Sequence, residues 1–112
     1  MPYDVLISGA GPAGLCLASA LSGRGLSIAL VEQQPLPALA EPAFDGREIA
    51  LTQASAATLQ RLGLWDRIRA AEPNALAPLR DAKVLTGASP FALVIGHGLT
   101  QRSELGWLVS NH

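Results

Sequence analysis

The sequence predicts an α/β fold that opens on a parallel βαβ unit, followed by further helices and the start of a β-rich region. Three observations predict it. The apolar run Val5-Leu6-Ile7 leads directly into the glycine-rich stretch Gly9-Ala10-Gly11-Pro12-Ala13-Gly14. A second apolar run, Ile28-Ala29-Leu30-Val31, follows after one helix length and closes on Glu32. Both runs are continuous rather than alternating, as expected of parallel strands covered on both faces.

The elements follow in order. Tyr3 to Ser8 reads as the first strand. A helix starts near Pro12, whose fixed φ and missing N–H suit the first helical position. Leu17, Ala18 and Leu21 mark its inner face, and Gly23 or Gly25 stops it. Leu26 to Glu32 reads as the second strand. Residues 33–46 contain Pro35, Pro37 and Pro42 without periodicity, so no helix is expected there, only an extended loop. Ile49 to Leu51 suggests a short strand. A helix is expected from Thr52 to Leu62, with Leu51, Ala54, Thr58 and Leu62 as its stripe and Gly63 as its stop. Leu64, Ile68 and Ala71 suggest a second short helix, ended by Pro73, Asn74 and Pro78. Arg80 to Thr86 and Phe91 to Ile95 read as a hairpin through Gly87-Ala88-Ser89-Pro90, and Leu105 to Val109 as a further strand. The expected divisions are 1–34 (βαβ cradle), 35–51 (loop and short strand), 52–72 (helices) and 79–112 (the β-rich region).

Composition narrows the function. The 112 residues hold 8 basic and 9 acidic side chains, a net charge of -1. Neither sign forms a run, so the chain lacks the basic stripe a nucleic-acid binder needs, and nucleic acid is not an expected partner. The single cysteine, Cys16, cannot form an intrachain disulfide and reads as a small core residue. No basic leader opens the chain and no apolar run is long enough to span a bilayer, which points to the cytoplasm. A mean hydropathy of +0.29 is high for so small a domain and suggests apolar surface left uncovered.

The glycine stretch fits G-x-G-x-x-G. Gly9 permits a tight turn out of the strand, Gly11 lets a pyrophosphate approach the backbone, and Gly14 lets the helix pack close to the strand. The amides of the first helical turn, around Pro12 and Ala13, face the phosphates with the positive end of the helix dipole. Glu32 lies 18 residues beyond Gly14, where an acidic side chain accepts hydrogen bonds from an adenosine ribose. The plain alternative is a tight βα turn and a solvated glutamate. The motif alone is shared by NAD and FAD proteins. After the second strand this chain enters a proline-rich loop instead of another helix, and reaches Phe44-Asp45-Gly46-Arg47-Glu48-Ile49-Ala50-Leu51.

That segment carries a family resemblance. With Asp4 to Leu17, Val31 to Pro35, Arg61 to Trp65, Pro78 to Ala82 and Leu105 to Val109, it resembles the FAD-dependent aromatic-ring hydroxylases of ubiquinone biosynthesis. These are relatives of p-hydroxybenzoate hydroxylase, and the likeness is strongest to the demethoxyubiquinol hydroxylase (UbiM) branch. The fold it implies is a Rossmann-like FAD-binding βαβ unit with the start of a β-rich substrate region, incomplete in these residues. It assigns cofactor contacts to Gly9, Gly11, Pro12, Ala13, Gly14, Glu32, Gln33 and Arg47, with Arg47 near the pyrophosphate or flavin. A guanidinium pairs bidentately with phosphate oxygens; the alternative is a surface arginine paired with Asp45 or Glu48.

The resemblance implies aromatic hydroxylation: NADPH or NADH reduces the flavin, O₂ reacts with it, and one oxygen passes to a small aromatic or quinol substrate. A lipid-soluble substrate leaves peripheral association with the inner face of the membrane, or with a complex, open. No catalytic acid, base or metal ligand can be named; Trp65 and Trp107 read as packing residues and His97 as a loop residue. The family's second flavin motif is absent, so the chain reads as an N-terminal fragment expected to self-associate. Two alternatives stand beside the hydroxylase: a catalytically incompetent nucleotide-binding piece, and the N-terminus of another FAD-dependent oxidoreductase such as a reductase or epoxidase. Removing Glu32 is expected to weaken FAD binding and leave stability nearly untouched.

Overall fold

The computed structural model describes residues 2–71, 74 and 76–111. They fall into two compact units that divide between Phe44 and Asp45.

In the first unit, β1 (Val5–Ser8) and β2 (Ile28–Val31) pair in parallel, with Val5 opposite Ile28 and Ser8 opposite Val31. Helix α1 (Pro12–Leu21) connects them and packs against both. The Asp4 carboxylate accepts the Ser27 amide at 2.7 Å and fixes the start of the pair. Both strands are shorter than the apolar runs suggested.

Coverage is partial, in line with the high mean hydropathy. Ile7 is buried, but Leu6 is 68% and Val31 56% exposed, so one face of this two-stranded sheet lies open. Apolar content fixes which residues favour burial, not whether a layer exists to bury them. Within α1, Ala18 and Leu21 are half-buried while Leu17 is exposed, so the inner face is made by smaller residues than expected. Gly14 shows why: a Cβ there would run into the Gly9 carbonyl oxygen and come within 3.4 Å of Ile7 Cγ2. The helix therefore sits too close to the strand for large side chains. Cys16 is half-buried in it.

The loop after β2 contains a five-residue helix, α2 (Leu36–Ala40), which corrects the expectation of an extended segment. Proline is harmless in a first turn, where its N–H would have no intrahelical partner. Pro35 occupies the cap and accepts the Ala38 amide at 2.9 Å; Pro37 accepts that of Glu41 at 3.0 Å.

The second unit holds a three-stranded antiparallel sheet. Strand β3 (Glu48–Thr52) and β4 (Leu76–Leu79) flank β7 (Gly106–Ser110), pairing Glu48 with Ser110 and Leu76 with Val109. Pro78 was expected to help end a helix, but it lies in β4 opposite Trp107. An edge strand tolerates a residue that cannot donate to the ladder. Pro73 lies outside the described residues.

Thr52 caps α3 (Gln53–Arg61), its hydroxyl accepting the Ser55 amide at 3.1 Å. At the other end Gly63 has φ +70°, its amide bonds Gln60 and the Leu64 amide bonds Leu59, closing a Schellman motif. Of the expected stripe, Leu51, Thr58 and Leu62 are half-buried but Ala54 is exposed, and Ala56 is buried in its place where α3 meets β3 and β7. Helix α4 (Trp65–Ala71) buries Trp65, which meets Trp107 edge-on with ring centroids 5.4 Å apart. The tryptophans are packing residues, as read from the sequence.

The hairpin of β5 (Asp81–Leu85) and β6 (Ala92–Gly96) forms its own two-stranded sheet. The strand expected near Leu105 is β7, and it joins β3 and β4 rather than extending this hairpin.

Candidate cofactor cradle and arginine loop

The cradle is built by three short stretches of the first unit. Gly9 leaves β1 with φ +98°, a conformation L side chains rarely adopt, and its amide donates to the Val31 carbonyl at 2.7 Å. Ala10 is buried. Gly11 caps α1 with no side chain to occupy the first-turn amides, and Pro12 follows at the helix start. Pro12 and Ala13 are exposed.

The chain itself fixes glycine at two of the three positions. Gly9 is fixed by its backbone conformation and Gly14 by the clash described above. Gly11 has φ -69° and ψ 177°, which any residue adopts, and an added Cβ meets nothing within 4 Å. Nothing inside the chain therefore calls for glycine at position 11. The space its missing side chain leaves lies at a helix N-terminus, where a phosphate group finds unpaired amides and the positive dipole end. Residues of this size and polarity fit the pyrophosphate of a dinucleotide.

Glu32 closes the cradle from the end of β2. One carboxylate oxygen accepts the Ala10 amide at 2.7 Å; the other accepts Gln33 at 2.7 Å and Gln34 at 3.0 Å. The Ala10 amide, followed by that of Gln34, holds the carboxyl below its ordinary range against the opposing effect of burial. A carboxylate offers about four acceptor positions, so one remains for a ribose hydroxyl. These bonds argue against the expectation that Glu32 matters little for stability: its side chain ties the glycine turn to the second strand. Gln33 contributes its amide to Glu32 and is exposed.

Arg47 lies in the second unit, on the loop before β3. Its Nε donates to Asp45 Oδ2 at 2.7 Å, so the local pairing with Asp45 weighed from the sequence exists. That pairing engages only part of the guanidinium. Asn111, which no sequence signal singled out, donates to the same Asp45 oxygen at 2.8 Å from 66 residues away.

The other polar clusters are thinner. His97 Nδ1 lies 3.5 Å from Asp81 Oδ1, too far for a good hydrogen bond, and has no hydrogen-bond partner among the described residues. Among those residues no group of His, Cys, Asp and Glu could hold a metal ion, and no helix is long and apolar enough to cross a membrane. A cleft of about 570 Å³ beside α3 is lined by Gln53, Gln60, Arg102, Glu104 and Trp107 among others. It includes none of the residues assigned to the cofactor.

A parallel βαβ unit with this glycine turn and a glutamate at the end of its second strand defines a dinucleotide-binding protein. The FAD binding domain family matches residues 2–84, and the chain belongs to it. Within that family its sequence groups with ubiquinone hydroxylases, as the resemblance implied. It is 50% identical to ubiquinone hydroxylase UbiM of Neisseria meningitidis serogroup C over 97% of this chain. It is 33% identical to ubiquinone hydroxylase UbiL of Rhodospirillum rubrum over 96%. The chain spans 24% of the length of each of these curated relatives. The fold is shared with the myxobacterial chondrochloren halogenase CndH, a variant of the FAD-dependent halogenases, at TM-score 0.64 and 23% identity, covering 96% of this chain and 23% of that one.

Proposed function

We propose that this chain is the FAD-binding portion of a flavin-dependent monooxygenase that hydroxylates an aromatic or quinol ring in ubiquinone biosynthesis, with NAD(P)H as reductant and O₂ as oxygen donor. The carrying observation is the 50% identity to a ubiquinone hydroxylase across 97% of the chain. The open position at Gly11, beside the glutamate-tied turn, supports the cofactor half of the reading.

When bound, FAD supplies the redox chemistry that activates O₂. This chain's residues then have binding and orienting roles. The first-turn amides at Ala13 and Gly14 take the pyrophosphate, and the free acceptor position on Glu32 takes a ribose hydroxyl. Gln33 lines the same side. The Arg47 guanidinium takes a phosphate oxygen or a flavin carbonyl, a role supported by the resemblance and by the donors that Asp45 leaves free. Residues 79–112 begin the substrate-binding region. A lipid-soluble quinol would favour peripheral attachment to the inner membrane face or to a complex.

The test uses the longest natural chain containing these residues. Purified protein is supplied with FAD, NAD(P)H and a quinol precursor. Retained flavin and O₂-dependent ring hydroxylation are the expected results; reduction of another acceptor without oxygen insertion would replace this reading with a reductase.

A further inference from the structure

The hairpin of β5 and β6 is charged at its base and apolar at its tip. At the base Asp81 stands opposite Gly96, and the His97 amide donates to the Arg80 carbonyl at 2.9 Å. Lys83, opposite Val94, comes next; from Val84 to Gly96 no side chain is charged except by an occasional proton, and none is acidic or basic. No acidic residue lies between Asp81 and Glu104, while Lys83 and Arg102 in that stretch are basic and exposed.

The apolar end is bare on both faces. Residues directly opposite in an antiparallel pair share a face, so Val84 and Leu93 lie on one side and Leu85 and Val94 on the other. All four are exposed, Leu85 and Leu93 at 62% each, and Phe91 beside the turn is 83% exposed. A hairpin that packs one face on a core and shows the other to water alternates apolar and polar residues. This one does not alternate. Its turn is also closed on itself: the Ser89 amide donates to the Thr86 carbonyl at 3.1 Å and the Phe91 amide to Ser89 Oγ at 3.2 Å. Two amides of the tip are thus already partnered before water is removed, which lowers the cost of removing it.

We propose that the tip of this hairpin, from Val84 to Val94, is a docking surface for an anionic lipid bilayer. A packed layer of protein covers one face of a hairpin, whereas acyl chains surround both faces and the end together. Leu85 and Phe91 enter the boundary between headgroups and acyl chains, to the depth of about 5–10 Å usual for interfacial elements. The free edges of a two-stranded sheet bar deeper entry, because their unpaired amides and carbonyls find no partner in hydrocarbon. Lys83 then stands at headgroup level, and residues 82–103 hold no carboxylate to repel lipid phosphate. Attachment of this kind does not depend on the flavin chemistry and is measured without turnover.

The experiment is co-sedimentation of the full-length protein with vesicles of phosphatidylcholine alone and of phosphatidylcholine mixed with phosphatidylglycerol. The protein should bind the mixed vesicles, and the neutral ones less. Phe91→Ser and Leu85→Ser should each weaken partition about tenfold or more, through loss of buried apolar area. Lys83→Glu should weaken it on the mixed vesicles and leave the neutral ones unaffected. Melting temperatures should stay at the wild-type value, since these side chains are exposed. Phe91→Trp keeps the tip apolar and protects the test if the serine variants misfold; its fluorescence should be quenched by phosphatidylcholine with brominated acyl chains more strongly than that of wild type. Three results would overturn the proposal. The full-length protein binds neither vesicle; Phe91→Ser lowers the melting temperature with vesicle binding unchanged, so that a later segment of the same chain covers the tip; or Phe91→Ser turns a dimer into a monomer with vesicle binding unchanged, so that a second copy does.

Discussion

The Glu32 carboxylate and the Ala10 amide, 22 residues apart in the chain, meet at 2.7 Å. Because the same carboxylate also accepts the Gln33 and Gln34 amides, one side chain joins the glycine turn, the end of β2 and the start of the next loop. The cradle is thus shaped before any ligand arrives, by a residue that a sequence motif associates only with the ligand.

Substitution of Glu32 should therefore have two effects at once. Glu32→Ala is expected to raise the FAD dissociation constant on the order of tenfold or more, through loss of a charged acceptor. It should also lower the melting temperature of the ligand-free protein, because three backbone amides lose their partner. Flavin titration and thermal denaturation of the same variant separate the effects. An unchanged melting temperature would reduce Glu32 to a ligand contact alone.

Gly14→Ala addresses the packing of α1 rather than the ligand. The added methyl meets the backbone carbonyl of Gly9, with no flexible side chain to give way. Overpacking of this kind costs about 1–3 kcal/mol. Chemical denaturation should show a loss of that size, and a wild-type midpoint would mean that the helix and turn are less close than described.

Asp45 gives a pH signature. Its folded pKa is depressed from 3.8 to about 2, chiefly by the Arg47 amide. The associated stability is fully present above 3.8 and is lost as pH falls toward about 2. Asp45→Asn lacks the titrating group, so wild type should exceed it in stability above this window and lose the advantage within it. A constant difference across the window would show that the ionised carboxylate contributes nothing. Glu32 acts in the same direction as pH falls below 4.5.

The open face of the first sheet should make the 112-residue chain associate with itself. Leu6 at 68% and Val31 at 56% exposure lie on neighbouring strands, and an uncovered apolar sheet face with unpaired edges favours contact between copies. Light scattering should report species larger than one chain, reduced by Leu6→Ser. A monodisperse monomer at high concentration would contradict this.

What could be read from the sequence was what neighbouring residues decide. The glycine turn, the parallel pair and Gly63 as a helix stop depend on local conformation, and each appears where the residue types demand it. Helix α2 was missed because prolines break helices in their interiors but not in their first turns. The pairing of β7 with β3 and β4 was not legible, since antiparallel partners far apart in sequence leave no local pattern. The Asp45–Asn111 contact belongs to the same class: it depends on a register set by β3 and β7. Nor could periodicity tell that Ala56 rather than Ala54 would be buried, because that choice rests on how α3 is turned about its axis against the sheet.

The central claim is that the space beside Gly11 is where the FAD pyrophosphate lies. Gly11→Val tests it most directly, because this backbone accepts any residue and an added Cβ meets nothing in the chain. The measurement is the FAD dissociation constant of the full-length variant, taken beside its circular dichroism and melting temperature. The account predicts a fold close to wild type with FAD affinity lost. A variant that folds normally and still binds FAD with wild-type affinity would contradict it.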